Sequence, residues 1–283
     1  MFKSNSILLA ACGGAVAMTA ILSGAGVGML RASTVTFSDS FNRTATTAAT
    51  DSTNPNPIGN GWVISPDSAA STWKITTSPV AGGGNVLKAT DAADVVPSND
   101  NPILMVNSGA ETPATGGFTV SVDFATPVAT NNQFYPGFAL NYQNASNYYY
   151  VRVLTGIGGT IQMFDVKNGG NAVYFNNTST ALASALTDNT FYNLTATSTT
   201  PGQFTFTVST LGSSPTTLIT ASASSSLFTG GEAGIIQQAN TGNYDYFSNF
   251  SDTFTPVPEP ASLGLVAVGA LGLMLLKRRK ASA

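Results

Sequence analysis

Residues 118–124 read Phe-Thr-Val-Ser-Val-Asp-Phe, apolar and polar side chains alternating at every step. A pleated strand sends successive side chains to opposite faces. The pattern therefore puts Phe118, Val120, Val122 and Phe124 into a core and Thr119, Ser121 and Asp123 into water. Phe204-Thr205-Phe206-Thr207-Val208 repeats it. The same period predicts strands at Val35–Phe41, Gly61–Ile64, Thr72–Ile75, Val86–Thr90, Ile103–Val106, Gly137–Tyr142, Tyr148–Leu154 and Thr160–Val166. It continues at Ala172–Phe175, Phe191–Thr197, Thr217–Ala221, Glu232–Gln237 and Tyr244–Phe254. No segment between residues 33 and 255 keeps a helical period over three turns; the best helical candidate is a single turn at Thr180–Leu186. Turn chemistry agrees. Asn168-Gly169 suits a type I′ hairpin, Thr200-Pro201-Gly202 separates two strands, and Asn144-Ala145-Ser146-Asn147 separates two tyrosine-bearing ones. Many short strands punctuated by turns make an all-β sandwich or barrel. Thr44–Pro57 is a loop on composition.

The two ends follow other rules. Met1–Ala32 has Lys3 in a positive start and an apolar, small-residue stretch from Ile7 to Leu30, the pattern of a secretory leader. Ser23-Gly24-Ala25 and Leu30-Arg31-Ala32 are both candidate cleavage sites, and an uncleaved anchor is the alternative. Leu9-Ala10-Ala11-Cys12 has the form of a lipidation site. Only Ile7–Ala11 precede the cysteine, however, too short an apolar stretch for such a leader. At the other end, Val257-Pro258-Glu259-Pro260 precedes an apolar run from Ala261 to Leu276, and Lys277-Arg278-Arg279-Lys280 closes it. As a helix the run reaches about 24 Å. Snorkelling cations extend it toward the roughly 30 Å of a bilayer core. The basic cluster is expected on the cytoplasmic side and the body outside. The Pro-Glu-Pro triplet, the Gly- and Leu-rich run and the basic end, in that order, resemble the PEP-CTERM sorting signal of exported bacterial proteins. The resemblance implies an exosortase-type membrane protease as partner, with cleavage near the triplet. It implies an inner-membrane intermediate on the way to the cell surface or extracellular matrix of a Gram-negative, exopolysaccharide-making bacterium. The organisation expected is a leader at 1–32, a sandwich at 33–255 and a transmembrane sorting segment at 256–283.

Between the ends the chain carries 5 basic and 13 acidic residues. An acidic body without a basic cluster argues against nucleic acid and anionic membrane surfaces as partners. There is no histidine, and the single cysteine is Cys12. Ser-His-Asp triads, Cys-His pairs and His- or Cys-ligated metals are thereby excluded from the body, and disulfides do not hold it together.

Ser38-Asp39-Ser40-Phe41-Asn42-Arg43, then Gly59-Asn60-Gly61-Trp62 and Trp73-Lys74-Ile75, resemble the opening of concanavalin A-like (laminin-G-like) jelly rolls. Gly234-Ile235-Ile236 and Tyr246-Phe247-Ser248-Asn249-Phe250-Ser251 resemble their close, with Ser248 where that family commonly has Asp. Asn147–Arg152 and Phe164–Gly169 fit its middle. The resemblance implies a concanavalin A-like jelly-roll β-sandwich.

Three chemistries remain open. Sugars are bound by aromatic faces with a few amide and charged groups. On Tyr148–Leu154, period two puts Tyr148, Tyr150 and Arg152 on one face and Tyr149, Val151 and Val153 on the other. Tyr148, Tyr150 and Arg152, with Asn141 or Gln162 from neighbouring strands, are the candidate carbohydrate contacts; the competing reading is that the rings pack on the sheet. Trp62 and Trp73, beside β-branched strand residues, are expected in the core. Calcium needs clustered oxygens; Asp39, Asp245 and Asp252 are the weak candidates, because jelly rolls bring their terminal strands together. Glycoside hydrolysis needs two carboxyls facing each other. The body has two glutamates, Glu111 in an apparent loop and Glu232 opening a strand, and no Glu-x-Asp pair. The chain is therefore expected to be non-catalytic, a polysaccharide-contacting module, with a ligand-free coat component or a hydrolase as alternatives.

Overall fold

The computed structural model describes residues 34–46, 58–64, 72–90, 103–114, 117–129, 134–170, 172–174, 177–239 and 244–255. All lie within one compact unit, Ser33–Ser262. The leader, most of the Thr44–Pro57 loop and the sorting segment fall outside the described residues. No helix among those described is long and apolar enough to cross a membrane.

The strands are β1 (Val35–Asp39), β2 (Trp62–Ile64), β3 (Thr72–Thr77), β4 (Asn85–Thr90), β5 (Ile103–Thr112), β6 (Phe118–Ala125), β7 (Phe134–Asn144) and β8 (Asn147–Val153). They continue as β9 (Ile161–Lys167), β10 (Val173–Tyr174), β11 (Asn177–Ser179), β12 (Tyr192–Thr200), β13 (Gln203–Thr210), β14 (Thr217–Ser224), β15 (Gly231–Ala239) and β16 (Tyr244–Phe254). They form two antiparallel sheets stacked as a jelly-roll sandwich. The nine-stranded sheet runs β11-β14-β13-β12-β6-β16-β4-β3, with β1 also on β16; the seven-stranded sheet runs β10-β9-β8-β7-β15-β5-β2. The first and last strands pair, Phe37 opposite Asp252 and Asp39 opposite Phe250.

Alternation works as expected except at Asp123, which is buried rather than in water, its two oxygens accepting from Asn193 Nδ2 and Asn249 Nδ2, each at 2.8 Å. Phe118, Val120, Val122 and Phe124 are buried between the sheets beside Phe204, Phe206 and Val208. From β1 across to β11, the outward positions of the nine-stranded sheet are largely hydroxyls. Thr36, Thr253, Thr119, Thr197, Thr205, Ser222 and Thr178 lie in register across seven neighbouring strands. Threonine is well suited here, because its branched side chain favours strands while its hydroxyl faces water. Asn168 and Gly169 both have positive φ, 54° and 66°, as a type I′ turn requires. Trp62 and Trp73 are core residues.

Three further local expectations fail. Thr180–Leu186 is not helical. Its four-residue leucine spacing serves a different end: Leu182 and Leu186 plug the core while their amides bond Gly159 and Thr155 carbonyls at 2.8 and 2.9 Å. Glu111 is not in a loop but near the end of β5, opposite Glu232. The short strand β11 pairs with β14 where no strand was expected.

The opening motif is explained by one carboxylate. Asp39 Oδ1 accepts from the Phe41 amide (2.8 Å) and Arg43 Nη1 (2.7 Å). Its Oδ2 accepts from Arg43 Nη2 (3.0 Å), Asn60 Nδ2 (3.0 Å) and Trp62 Nε1 (2.8 Å). Phe41 is thereby held at φ 56°, an unfavourable conformation for a bulky residue, and its ring reaches Trp62 at 5.5 Å. Burial raises the Asp39 pKa, but the bonds from Arg43, Asn60, Phe41 and Trp62 more than offset this and leave it below the ordinary aspartate value.

Two other buried acids behave in the opposite way. On β16, Asp245 and Asp252 are 0 % exposed, and none of their carboxylate oxygens closes a hydrogen bond. Burial pushes Asp252 up to about 7, the Glu111 amide offsetting part and the Glu111 charge adding to it. Burial also drives Asp245 well above its usual value; the facing Gln237 amide moderates this without closing a bond.

Two outcomes follow from these acids. Asp39→Ala is expected to cost about 3–5 kcal/mol in urea unfolding, because it strands Arg43 and the Trp62 N–H; an unchanged midpoint would refute the role given to this carboxylate. The raised pKa of Asp252 means that its contribution is complete below the unfolded value of 3.8 and is lost as pH rises through about 7. Melting temperature should therefore fall from mildly acidic to mildly alkaline pH, and fall less in Asp252→Asn. Asp39, with its pKa lowered, acts on the opposite side, its contribution being lost as pH drops below the ordinary carboxylate range.

Candidate functional site

Strand β8 divides as the alternation requires. Tyr149, Val151 and Val153 enter the inter-sheet core. The Tyr149 hydroxyl is anchored at 2.8 Å to Ser225 Oγ and accepts from the Phe228 amide, also at 2.8 Å. Tyr148, Tyr150 and Arg152 lie on the outward face. The two rings there are not an exposed platform, for Tyr148 is 2 % exposed and Tyr150 0 %. The neighbouring strands explain why. Ala139, Phe164, Val166 and Ile236 occupy outward positions on β7, β9 and β15, so the rings lie down among apolar side chains as a second buried cluster. Tyr150 stacks on Phe164 with centroids 4.7 Å apart and planes 7° apart, and Tyr148 sits 5.7 Å from Tyr142.

Asn141 has left this face. It has φ 50°, at a register shift where β7 meets β8. A bulge moves the alternation on by one residue. Tyr142 thus takes the outward place beside Tyr148. Asn141 is buried, donating from Nδ2 to the Phe228 carbonyl at 2.8 Å and from its backbone N–H to Thr112 Oγ1 at 3.0 Å.

The polar end of the face is built around Arg152. Its Nε donates to Gln162 Oε1 at 2.8 Å, and Nη1 donates to Gln238 Oε1. The guanidinium carbon lies 4.6 Å from the Phe164 ring centroid and 4.7 Å from that of Tyr135. Arg152 lies opposite Gln162 on β9 and Gly137 on β7. Gly137 is next in turn to Ile236 on β15. Glycine is needed at 137 because the β8 backbone passes close against it. A Cβ at Gly137 would run into the Val151 carbonyl. Sequence reasoning named Arg152 and Gln162 but missed Tyr135 and Gln238. Both stand two residues from marked positions, Gly137 and Ile236, on the same outward face. Period two could have found them once the strand order was known.

The acids arrange themselves differently from the calcium expectation. Both oxygens of Asp39 are taken by five donors. Asp245 and Asp252 both face the core from one strand. Among the described residues no three His, Cys, Asp or Glu side chains gather as a metal site. Glu111 and Glu232 are cross-strand partners. Burial raises the Glu232 carboxyl, and the Glu111 charge raises it further.

Residues 256–280 match the PEP-CTERM protein-sorting motif. The match contains Val257, Pro258, Glu259, Pro260, Lys277, Arg278, Arg279 and Lys280. The motif marks the chain for export with transient membrane anchoring and for processing by exosortase, a membrane protease. No curated protein is detectably similar in sequence. Among solved structures, the chain is similar to the carbohydrate binding module CBM66 from Bacillus subtilis, at 16 % identity and a TM-score of 0.44, over 68 % of this chain and 94 % of that one. It is also similar to a protein of unknown function from Shewanella oneidensis MR-1, at 14 % identity and a TM-score of 0.48, over 91 % and 100 %. A third is the GH43 protein BlXynB from Bacillus licheniformis, at 16 % identity and a TM-score of 0.45, over 76 % of this chain and 38 % of that one. At these identities the likeness says nothing of a ligand.

Proposed function

We propose that this protein is an exported, non-catalytic module that contacts extracellular polysaccharide through the Arg152 face. One observation carries the reading: a guanidinium held between two aromatic rings and fixed by two glutamine amides. Side chains locked in this way lose little entropy when a hydroxylated ligand arrives. Aromatic, amide and guanidinium groups together are the chemistry by which sugars are bound. The tyrosines named from sequence act behind this site, packing the sheet that carries it.

Hydrolysis is the second reading, and one observation favours it. Glu111 and Glu232 are adjacent, and the raised Glu232 could hold a proton as a general acid does. Against it, the two stand side by side on neighbouring strands rather than across a groove.

Glycan-array and calorimetric binding separate these readings. Arg152→Ala is expected to weaken polysaccharide binding by about tenfold or more, the worth of hydrogen bonds to a charged group, with little change in melting temperature. Tyr150→Ala should instead lower stability by about 3 kcal/mol. Absence of binding at millimolar sugar would leave a ligand-free coat component. Sugar release abolished in Glu232→Gln would establish a hydrolase. Intact-mass analysis of the exported protein tests the route: a mass ending near Pro258 is expected, whereas one retaining Lys277–Lys280 would mean a permanent anchor.

A further inference from the structure

Of the cations between residues 33 and 255, Arg43 is paired with Asp39, and Arg152, fixed by its glutamines, belongs to the face described above. Two of the others, Lys74 and Lys88, stand directly opposite each other on β3 and β4. Like charges so placed repel, which destabilises the sheet. Neither closes an ion pair with the described residues, among which Arg43–Asp39 is the one salt bridge.

Their surroundings are specific. Trp73, Ile75, Leu87, Ala89 and Phe247 point into the core, so period two turns Lys74, Lys88, Tyr244 and Tyr246 out to the other face of the same strands. Lys88 lies opposite Tyr246, and the next row carries Tyr244 opposite Thr90. The Lys88 ammonium sits 3.3 Å from the Tyr244 ring centroid and 5.9 Å from that of Tyr246. The two rings meet edge to face, 5.4 Å apart at 81°. All four side chains are half-buried.

We propose that Lys74, Lys88, Tyr244 and Tyr246 form a subsite for an anionic saccharide, one bearing uronate carboxylates or ester sulfates. The paired ammonium groups take the anion and are relieved of their mutual repulsion by it. The tyrosines supply ring edges and hydroxyls to the sugar around it. The ammonium of Lys88 is eased toward neutrality first by burial and then by Lys74, so a bound anion would restore its charge. Tyr246 is pushed up to about 12 by burial and then by Tyr244, and its hydroxyl stays a donor at working pH. The site stands on the opposite sheet from Arg152 and does not depend on the reading given to that residue.

The test uses the exported protein and oligogalacturonate, with the fully methyl-esterified oligomer as neutral control. The charged oligomer is expected to bind at low salt, to weaken as salt is added, and to bind about tenfold or more weakly to the Lys74→Gln/Lys88→Gln double variant. The Lys74→Arg/Lys88→Arg variant, which keeps both charges, should hold most of the binding. A sulfated oligomer binding in place of the uronate would keep the site and assign it to ester sulfates. Equal binding of charged and esterified oligomers would overturn the proposal, as would undiminished binding by the folded double variant. Binding to anionic lipid vesicles without binding to either acidic oligomer would also overturn it.

Discussion

A single buried carboxylate ties the two sheets together where the chain begins. Asp39 ends β1 in the nine-stranded sheet, and the Trp62 indole that bonds to it belongs to β2 in the seven-stranded one. The bond network extends beyond these two. Arg43 Nε reaches the Ile58 carbonyl at 2.8 Å, and Asn107 on β5 donates to the Asn60 carbonyl at 2.7 Å. A charge buried this deeply is tolerable only when its lone pairs are filled. Filling them fixes the turn after β1, the Phe41 backbone and the Trp62 rotamer at once. The aromatic corner of Phe37, Phe41, Trp62 and Phe250 then packs at centroid distances of 5.1–6.1 Å. The residues that gave the chain its jelly-roll likeness are thus those whose geometry leaves least freedom.

Asp252 is the counterpoint. It lies on the strand paired with β1, two residues from the position opposite Asp39, and it is equally buried. No donor closes on it. The pKa values of the two aspartates move in opposite directions because one is satisfied and the other is not. Asp39 is an internal charge with its bonds filled, and two residues along the same pair of strands lies a carboxyl that is most stable when neutral. Stability is thereby limited at both ends of the pH scale by neighbouring residues of the same chemical type.

Strand identity was legible in the sequence because alternation is local, and so was the sandwich class. What lay beyond reach depends on register. Period two correctly separated Tyr148 and Tyr150 from Tyr149, but it cannot say that β7, β9 and β15 will present apolar partners outward and bury those rings. The bulge at Asn141 leaves no mark in composition, yet it exchanges Asn141 for Tyr142 on the outer face. Leu182 and Leu186 have helical spacing, but their amides find carbonyls across space rather than four residues back. The Glu111–Glu232 and Lys74–Lys88 pairs join strands by hydrogen-bond register, which no single-strand pattern contains.

The two outward faces solve the same problem in different ways, and the difference bears on recognition. A chain only 9 % charged must stay in water by other means. The nine-stranded sheet does so with rows of hydroxyls running from β1 to β11, which hydrate well but generate little long-range potential. Against so neutral a background, two adjacent ammonium groups set the local field almost alone. The seven-stranded sheet instead covers much of its outward face with aromatic and aliphatic side chains and gathers Arg152, Gln162 and Gln238 at one polar end. Net acidity keeps polyanions at a distance from the molecule as a whole. An acidic polymer would therefore be held by short-range contact at a cation cluster rather than drawn in from afar, and such contact weakens steeply when salt screens the few charges that make it.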